Sequence, residues 1–167
     1  MSGKKGDPIL EEVFSLSGKK NPSIAYVGTA SGDSRAFFLF MAGFLKKAGA
    51  AEVRLAPLAS RRSDKESAIR IIEESDIVFI SGGDVEEGMR HIEARDMSAF
   101  LSSAFSSGKP FFGLSAGSIM LAERWVRWRN PKEDETAESF PASPSLLSSA
   151  IPTEKRTAGK NSKPSSL

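Results

Sequence analysis

The sequence contains no cysteine and a single histidine, His91, in 167 residues. The first absence excludes disulfides, thiolate metal sites and a cysteine nucleophile. The second leaves too few imidazoles for a histidine metal cluster, so neither a metal site nor a cofactor is expected. A dominant charge sign is missing too: 23 Lys and Arg stand against 21 Asp and Glu, a formal net charge of +2. That balance gives no reason to expect a nucleic-acid or anionic-membrane partner. Long apolar runs are also lacking. The N-terminal "MSGKKGDPILEEVFSLSGKKNPS" is too interrupted for a signal peptide, and no segment reaches transmembrane length. The expectation is a cytoplasmic protein whose length suits one domain with a sizeable core.

What is present is an alternation of short apolar runs with amphipathic segments, the pattern of a parallel sheet covered by helices. Strands are predicted at "SIAYVGT" (23–29), "AEVRLAPL" (51–58), "DIVFISGG" (76–83) and "PFFGL" (110–114). Between the first two, "SRAFFLFMAGFLKKAG" has helical spacing at Phe37, Phe38, Met41, Phe44, Leu45 and Ala48, with Gly49 as its C-terminal cap. A second helix starts near Asp64, where Ser63 and Glu66 have capping-box spacing and Ala68, Ile71 and Ile72 form the buried stripe. Asp84 and Glu87 can cap a short helix to about Ala94, and a further helix turns Met97, Phe100, Leu101, Ala104 and Phe105 inward before Gly108 and Pro110 stop it. A last helix begins near Ala116. Trp125 and Trp128, in "ERWVRWRNP", are spaced for one helical face and read as packing residues.

Two predicted strand ends carry glycine-rich turns, "SGGD" at 81–84 and "GLSAG" at 113–117. In an open parallel sheet the carboxyl ends of the strands form the binding crevice, so both turns face it. G-x-S-x-G between strand and helix is the nucleophile-elbow pattern: Gly113 and Gly117 permit close backbone approach while Ser115 takes a strained conformation that exposes its hydroxyl. The amide of Ala116, at the start of the next helix, points where an oxyanion forms, and the helix dipole favours negative charge there. Gly82 and Gly83 are placed to supply a second donor, assigned to the amide of Gly83. The plainer alternative is that these glycines serve turns and packing alone. Asp84 reads as a helix cap before it reads as a catalytic acid. His91 lies about 10 Å along its helix from the glycine turn and is read as a surface or half-buried residue, not as a base.

"YVGTAS", "FISGGD" and "GLSAGS", in this order and spacing, resemble the dipeptidase E and cyanophycinase family of serine peptidases, which share the fold of class I glutamine amidotransferases. The resemblance spans about residues 20 to 140. It implies a flavodoxin-like, doubly wound, mostly parallel sheet with helices on both faces. It also implies Ser115 as nucleophile, the amides of Gly83 and Ala116 as oxyanion donors, and small peptides or peptide-like amides as substrates. A histidine base with an acidic partner is implied C-terminal to the nucleophile. Many members have Asn, Thr or Gln after the glycine pair, where this chain has Asp84 and Val85.

No histidine follows Ser115 in this chain, so no general base is found, and serine needs one. After Phe140 the composition shifts to Ser, Pro, Ala and Lys without periodicity, which divides the chain into a domain at 1–140 and an irregular tail at 141–167. Read one nucleotide earlier in phase, the codons of Thr153 to Ser166 are compatible with Glu-Glu-Asp-Gly-Trp-Glu-Glu-Leu-Lys-Ala-Leu-Leu, a far better helix former, and the Pro152 and Thr153 codons then permit a histidine. The expectation is a frameshift near residue 141 that replaced a catalytic C-terminus. Two functions remain: an impaired serine peptidase-type hydrolase, or a non-catalytic module that binds a carboxylate or phosphate in the same crevice. An α/β-hydrolase esterase is disfavoured, because its triad also requires a histidine after the serine. Apolar surface left open where C-terminal elements belong predicts a homo-oligomer.

Overall fold

The computed structural model describes residues 7–60 and 63–122, together with the course of two strands at 124–128 and 137–141. Its centre is a parallel sheet in which β1 (Ser23–Val27) lies between β2 (Glu52–Ala56) and β3 (Ile77–Ile80), with β4 (Phe111–Gly113) beyond β3. Successive side chains of a strand point to opposite faces, and a strand buried on both faces has no polar side to offer. In β1, Ile24 and Tyr26 accordingly fill one face while Ala25 and Val27 fill the other, all of them inaccessible to solvent. β3 repeats the division, with Ile77 and Phe79 on the first face and Val78 and Ile80 on the second.

The first face is covered by α1 (Pro8–Ser15) and α2 (Arg35–Lys47). The second is covered by α3 (Lys65–Glu74), α4 (Val85–Ala94), α5 (Ser98–Ser106) and α6 (Ala116–Leu121). The architecture is a three-layer, flavodoxin-like doubly wound sheet, as the family resemblance implies, and it contains the helix-covered parallel sheet that the sequence pattern predicts. Register pairs Val27 with Ile80 and Ile80 with Gly113, so β1, β3 and β4 end at one level. The chain leaves β1 toward one edge of the sheet and leaves β3 toward the other. Their carboxyl ends therefore flank the topological switch point, where such sheets bind ligands.

Several elements differ from expectation. The sequence reading contained no α1, yet Asp7 caps it by accepting from the amides of Ile9 and Leu10, and Pro8 occupies its first turn, where a missing N–H loses nothing. The cap of α3 is Asp64, not Ser63: its carboxylate accepts from the amides of Glu66 and Ser67. Phe44, expected inside, is 46% exposed because it stands to the side of the buried Met41, Ala42 and Leu45. Trp125 and Trp128 lie not on a helix but in β5 (Arg124–Trp128), which pairs antiparallel with β6 (Ala137–Pro141). The aromatic and β-branched content of "RWVRW" suits a strand better than a helix. Beyond Pro141, the expected tail lies outside the described residues.

Candidate active site

Ser115 stands between β4 and α6 with φ 52° and ψ −118°, an exposed side chain and a backbone in a sparsely populated region. Holding a non-glycine residue there costs about 1–3 kcal/mol, so the surroundings must fix it. They do so through backbone bonds: Leu114 N–H donates to Ile80 O at 3.1 Å, Gly117 N–H to Leu114 O at 2.9 Å, and Ser118 N–H to Ser115 O at 2.9 Å. Glycines at both sides make room. A Cβ on Gly113 would overlap the carbonyl of Gly117, and one on Gly117 would overlap Ile80 O. The two flanking glycines of G-x-S-x-G therefore let α6 sit directly on the ends of β3 and β4.

The second glycine turn reaches the first. A Cβ on Gly82 would stand 3.2 Å from Leu114 O and 3.4 Å from the Ser115 Cβ. Gly83, at φ 145°, lies against the carbonyl of Ala30 so closely that any side chain would overlap it. Asp84 N–H donates to that same carbonyl at 2.8 Å, and the Asp84 carboxylate accepts from Glu87 N–H at 2.8 Å, which makes it the cap of α4. Among the described residues, no acceptor takes the amides of Gly82, Gly83 or Ala116. Three free donors and an exposed hydroxyl thus gather at the ends of β3 and β4. α6 has only six residues, so the individual amides carry more of any anion stabilisation than a macrodipole does.

The acid–base inventory around Ser115 is thin. His91 pairs with Glu87 of its own helix, Nε2 to Oε1 at 2.9 Å. Hydrogen bonding from Arg90 holds the Glu87 carboxyl below the usual carboxylate range, so the acidic group stays ionised. Beneath the crevice the Tyr26 hydroxyl is buried among the hydroxyls of Ser31 and Ser81 without a well-formed hydrogen bond. Burial pushes its pKa up, only partly offset by those hydroxyls, so it remains a neutral phenol. Among the described residues, no three His, Asp or Glu side chains are grouped to hold a metal ion. A cavity of about 310 Å³ lies between α3 and α5, lined by Ile72, Phe100 and Lys109 among others, and none of the crevice residues borders it.

The structure brings together Gly82, Gly83, Gly113, Ser115, Ala116 and Gly117. It adds a third strand end that the sequence reading gave no role. After β1 the chain makes a 3₁₀ turn at Thr29–Ser31, and this turn supplies the Ala30 carbonyl that fixes Gly83 and Asp84. Asp33, at φ 55°, anchors the turn: its Oδ2 accepts from the amides of Leu58 and Ala59 at 2.7 and 2.6 Å. The clustered Gly28, Gly32 and Asp33 after a strand were the available signal.

The molecule is thus a doubly wound sheet with an exposed, strained serine at its switch point. The sequence model of peptidase family S51 matches residues 1–146, and the chain belongs to that family. Among solved structures, a candidate peptidase E protein from Listeria monocytogenes EGD-e is similar with a TM-score of 0.58 and 14% identity, over 69% of this chain and 57% of that one. A peptidase from an acI-B1 Actinobacterium follows with a TM-score of 0.49 and 18% identity, over 84% of this chain and 60% of that one. The chain thus spans less than two thirds of either neighbour's length. No curated protein matches it in sequence.

Proposed function

We propose that the chain is a serine peptidase-type hydrolase scaffold for small peptides or peptide-like amides, with Ser115 as nucleophile and the amides of Gly83 and Ala116 as oxyanion donors. Residues 1–140 form the catalytic-type domain, 141–167 lie outside it, and the protein works in the cytoplasm. The observation that carries the reading is the φ of 52° at an exposed Ser115 whose Cβ borders Gly82. Attack by the hydroxyl on a peptide carbonyl gives an acyl-enzyme and releases the amine, and the developing oxyanion is met by backbone N–H groups already in place. Gly82, Gly113 and Gly117 shape the floor, and Asp84 holds α4 in position.

Turnover by this chain is impaired, because its one histidine is tied to Glu87 and no other follows Ser115. A frameshift near residue 141 accounts for the missing base. Loss of a triad member leaves a residual acceleration of about a thousandfold over water from the oxyanion donors and binding. The test is hydrolysis of a dipeptide series together with fluorophosphonate labelling. Slow, saturable turnover, slow labelling, and little further loss on Ser115→Ala are expected. Robust activity that disappears with Ser115→Ala overturns the impairment. The lack of a base also favours a second reading, a binding module that takes a carboxylate or phosphate in the same crevice. Micromolar binding of such an anion with no hydrolysis above the water rate would establish that reading instead.

A further inference from the structure

The proposed oxyanion donor, Gly83 N–H, depends on which way one peptide plane faces. In a trans peptide the carbonyl of one residue and the N–H of the next point in opposite directions, so whatever holds Gly82 O also aims Gly83 N–H. The flanks of that plane are pinned: Ser81 N–H donates to Val27 O at 2.9 Å and Asp84 N–H to Ala30 O at 2.8 Å. Between these anchors stand two glycines, and no Cβ biases the rotation of the peptide that joins them. Turned over, the same unit would set a carbonyl where the N–H now stands, and a developing oxyanion would meet an acceptor.

A hydroxyl meets the Gly82 carbonyl. Ser81, the residue after β3, is inaccessible to solvent, and its Oγ donates to Gly82 O at 3.3 Å. That bond is long, and alone it is a weak restraint. The surroundings decide where the Ser81 proton can go. Ser31 Oγ, on the 3₁₀ turn after β1, lies 3.4 Å from Ser81 Oγ and donates to Gly28 O at 3.0 Å, so at Ser81 it is left to accept. The Tyr26 phenol is buried beside both serines and, being neutral, attracts the Ser81 proton far less than a phenolate would. Of Ser31 Oγ and Gly82 O, the carbonyl is the nearer and the more basic acceptor.

We propose that Ser81 is a positioning residue of the serine site: its buried hydroxyl holds Gly82 O inward and so turns Gly83 N–H the other way, where no described residue accepts it. The inference rests on the reading of Gly83 N–H as an oxyanion donor. A serine kept only for its small volume would be replaced by alanine without consequence at the crevice, since the two side chains differ by one oxygen.

Ser81→Ala tests it through two readouts on the folded chain. The first is the Gly83 amide in an isotope-labelled sample, expected as one sharp resonance in the parent protein and as a broadened or split one in the variant, whose peptide samples both orientations. The second is the rate of fluorophosphonate labelling at Ser115, which should fall about tenfold, less than the roughly hundredfold that follows outright loss of a donor. Ser102→Ala, at a buried serine of α5, should move neither readout. A Gly83 resonance that stays single and sharp in Ser81→Ala overturns the inference and leaves the reading of the site standing. A resonance that splits while labelling keeps its rate, or a parent protein that does not label at Ser115, overturns the reading itself and with it the role given to Ser81.

Discussion

On the face covered by α3 to α6, small residues stand among the larger core side chains where elements approach most closely. Ala25, Ala30, Ala56, Ala68 and Ala116 are all buried there, and Gly88 of α4 approaches Met120 of α6 so closely that a Cβ would stand 2.8 Å from its sulfur. On the face covered by α1 and α2 the same sheet presents Tyr26 and Phe79, with Phe38 and Phe112 packed beside them at ring separations of 4.8 to 5.4 Å. Small residues bring backbones together, and backbone contacts fix the position of a turn to fractions of an ångström. Rings instead fill volume, and they hold the sheet together without fixing any particular loop. The crevice is built on the side of the sheet covered by α3 to α6, and the stacked rings lie on the side covered by α1 and α2.

Substitutions on the two faces should therefore fail differently. Phe79→Ala leaves a cavity between Tyr26 and Phe112 and should lower stability by about 3–5 kcal/mol in urea denaturation, with fluorophosphonate labelling of the folded fraction unaltered. Labelling that falls in proportion with stability would erase the distinction. Gly117→Ala should destabilise by up to about 3 kcal/mol, since its Cβ meets Ile80 O, and it should also abolish labelling in protein that is still folded.

The amino ends of the central strands sharpen the contrast. Asp76, just before β3, accepts from the amide and hydroxyl of Ser23, both at 2.8 Å, and pairs with Lys19 at 2.7 Å. Partial burial raises its pKa, but the Lys19 and Ser23 hydrogen bonds together outweigh that, so the net shift is downward. With the folded pKa below the unfolded one, the unfolded state binds more protons. The stabilisation is complete above the unfolded value, near pH 4, and is lost as pH falls through the folded value. Asp76→Asn should cost about 1–2 kcal/mol at neutral pH and flatten the acid limb of the stability profile, while leaving the crevice intact. An unchanged acid limb would remove Asp76 from the account.

A smaller and opposite effect is expected at the crevice. Ser115→Gly relieves the positive φ and should raise the unfolding free energy by about 1 kcal/mol, the sign of strain held for function. His91→Ala should change stability by no more than about 0.5 kcal/mol and leave turnover where it was. A loss of turnover with that variant would make His91 the base.

The central strands and the two glycine turns were legible because each rests on local chemistry: continuous Ile-Val-Phe-Ile for a strand buried on both faces, and glycine where backbone must touch backbone. α1 was not read, because its apolar Leu10 and Phe14 are flanked by a lysine- and glycine-rich stretch and eight residues give little periodicity. Spacing points to Ser63 over Asp64 because Ser63 alone stands three residues before Glu66, and only the backbone's entry angle shows that the adjacent Asp64 is the cap. The role of Ala30 was invisible for a different reason. What it contributes is a carbonyl, which every residue has, placed by strand pairing fixed far away in sequence. The tryptophans failed on period: two aromatics three apart suit a helix, and only pairing with Ala137–Pro141 reveals a strand.

The contacts that define the serine turn join Ala30 to Gly83, Gly82 to Leu114, and Ile80 to Gly117. Loops of about 30 to 50 residues must close before any of the three can form, and the entropy of closing them has to be met first. No fragment of the chain, and no half-folded form, can therefore present the strained hydroxyl. In native-state hydrogen exchange, the Asp84 amide held by Ala30 O and the Leu114 amide held by Ile80 O should open only with the whole sheet, at the same free energy as the amides of β1. Formation of the strained Ser115 turn then marks completion of the sheet: the exposed hydroxyl takes its place when the β3–β4 crossover docks, and not before.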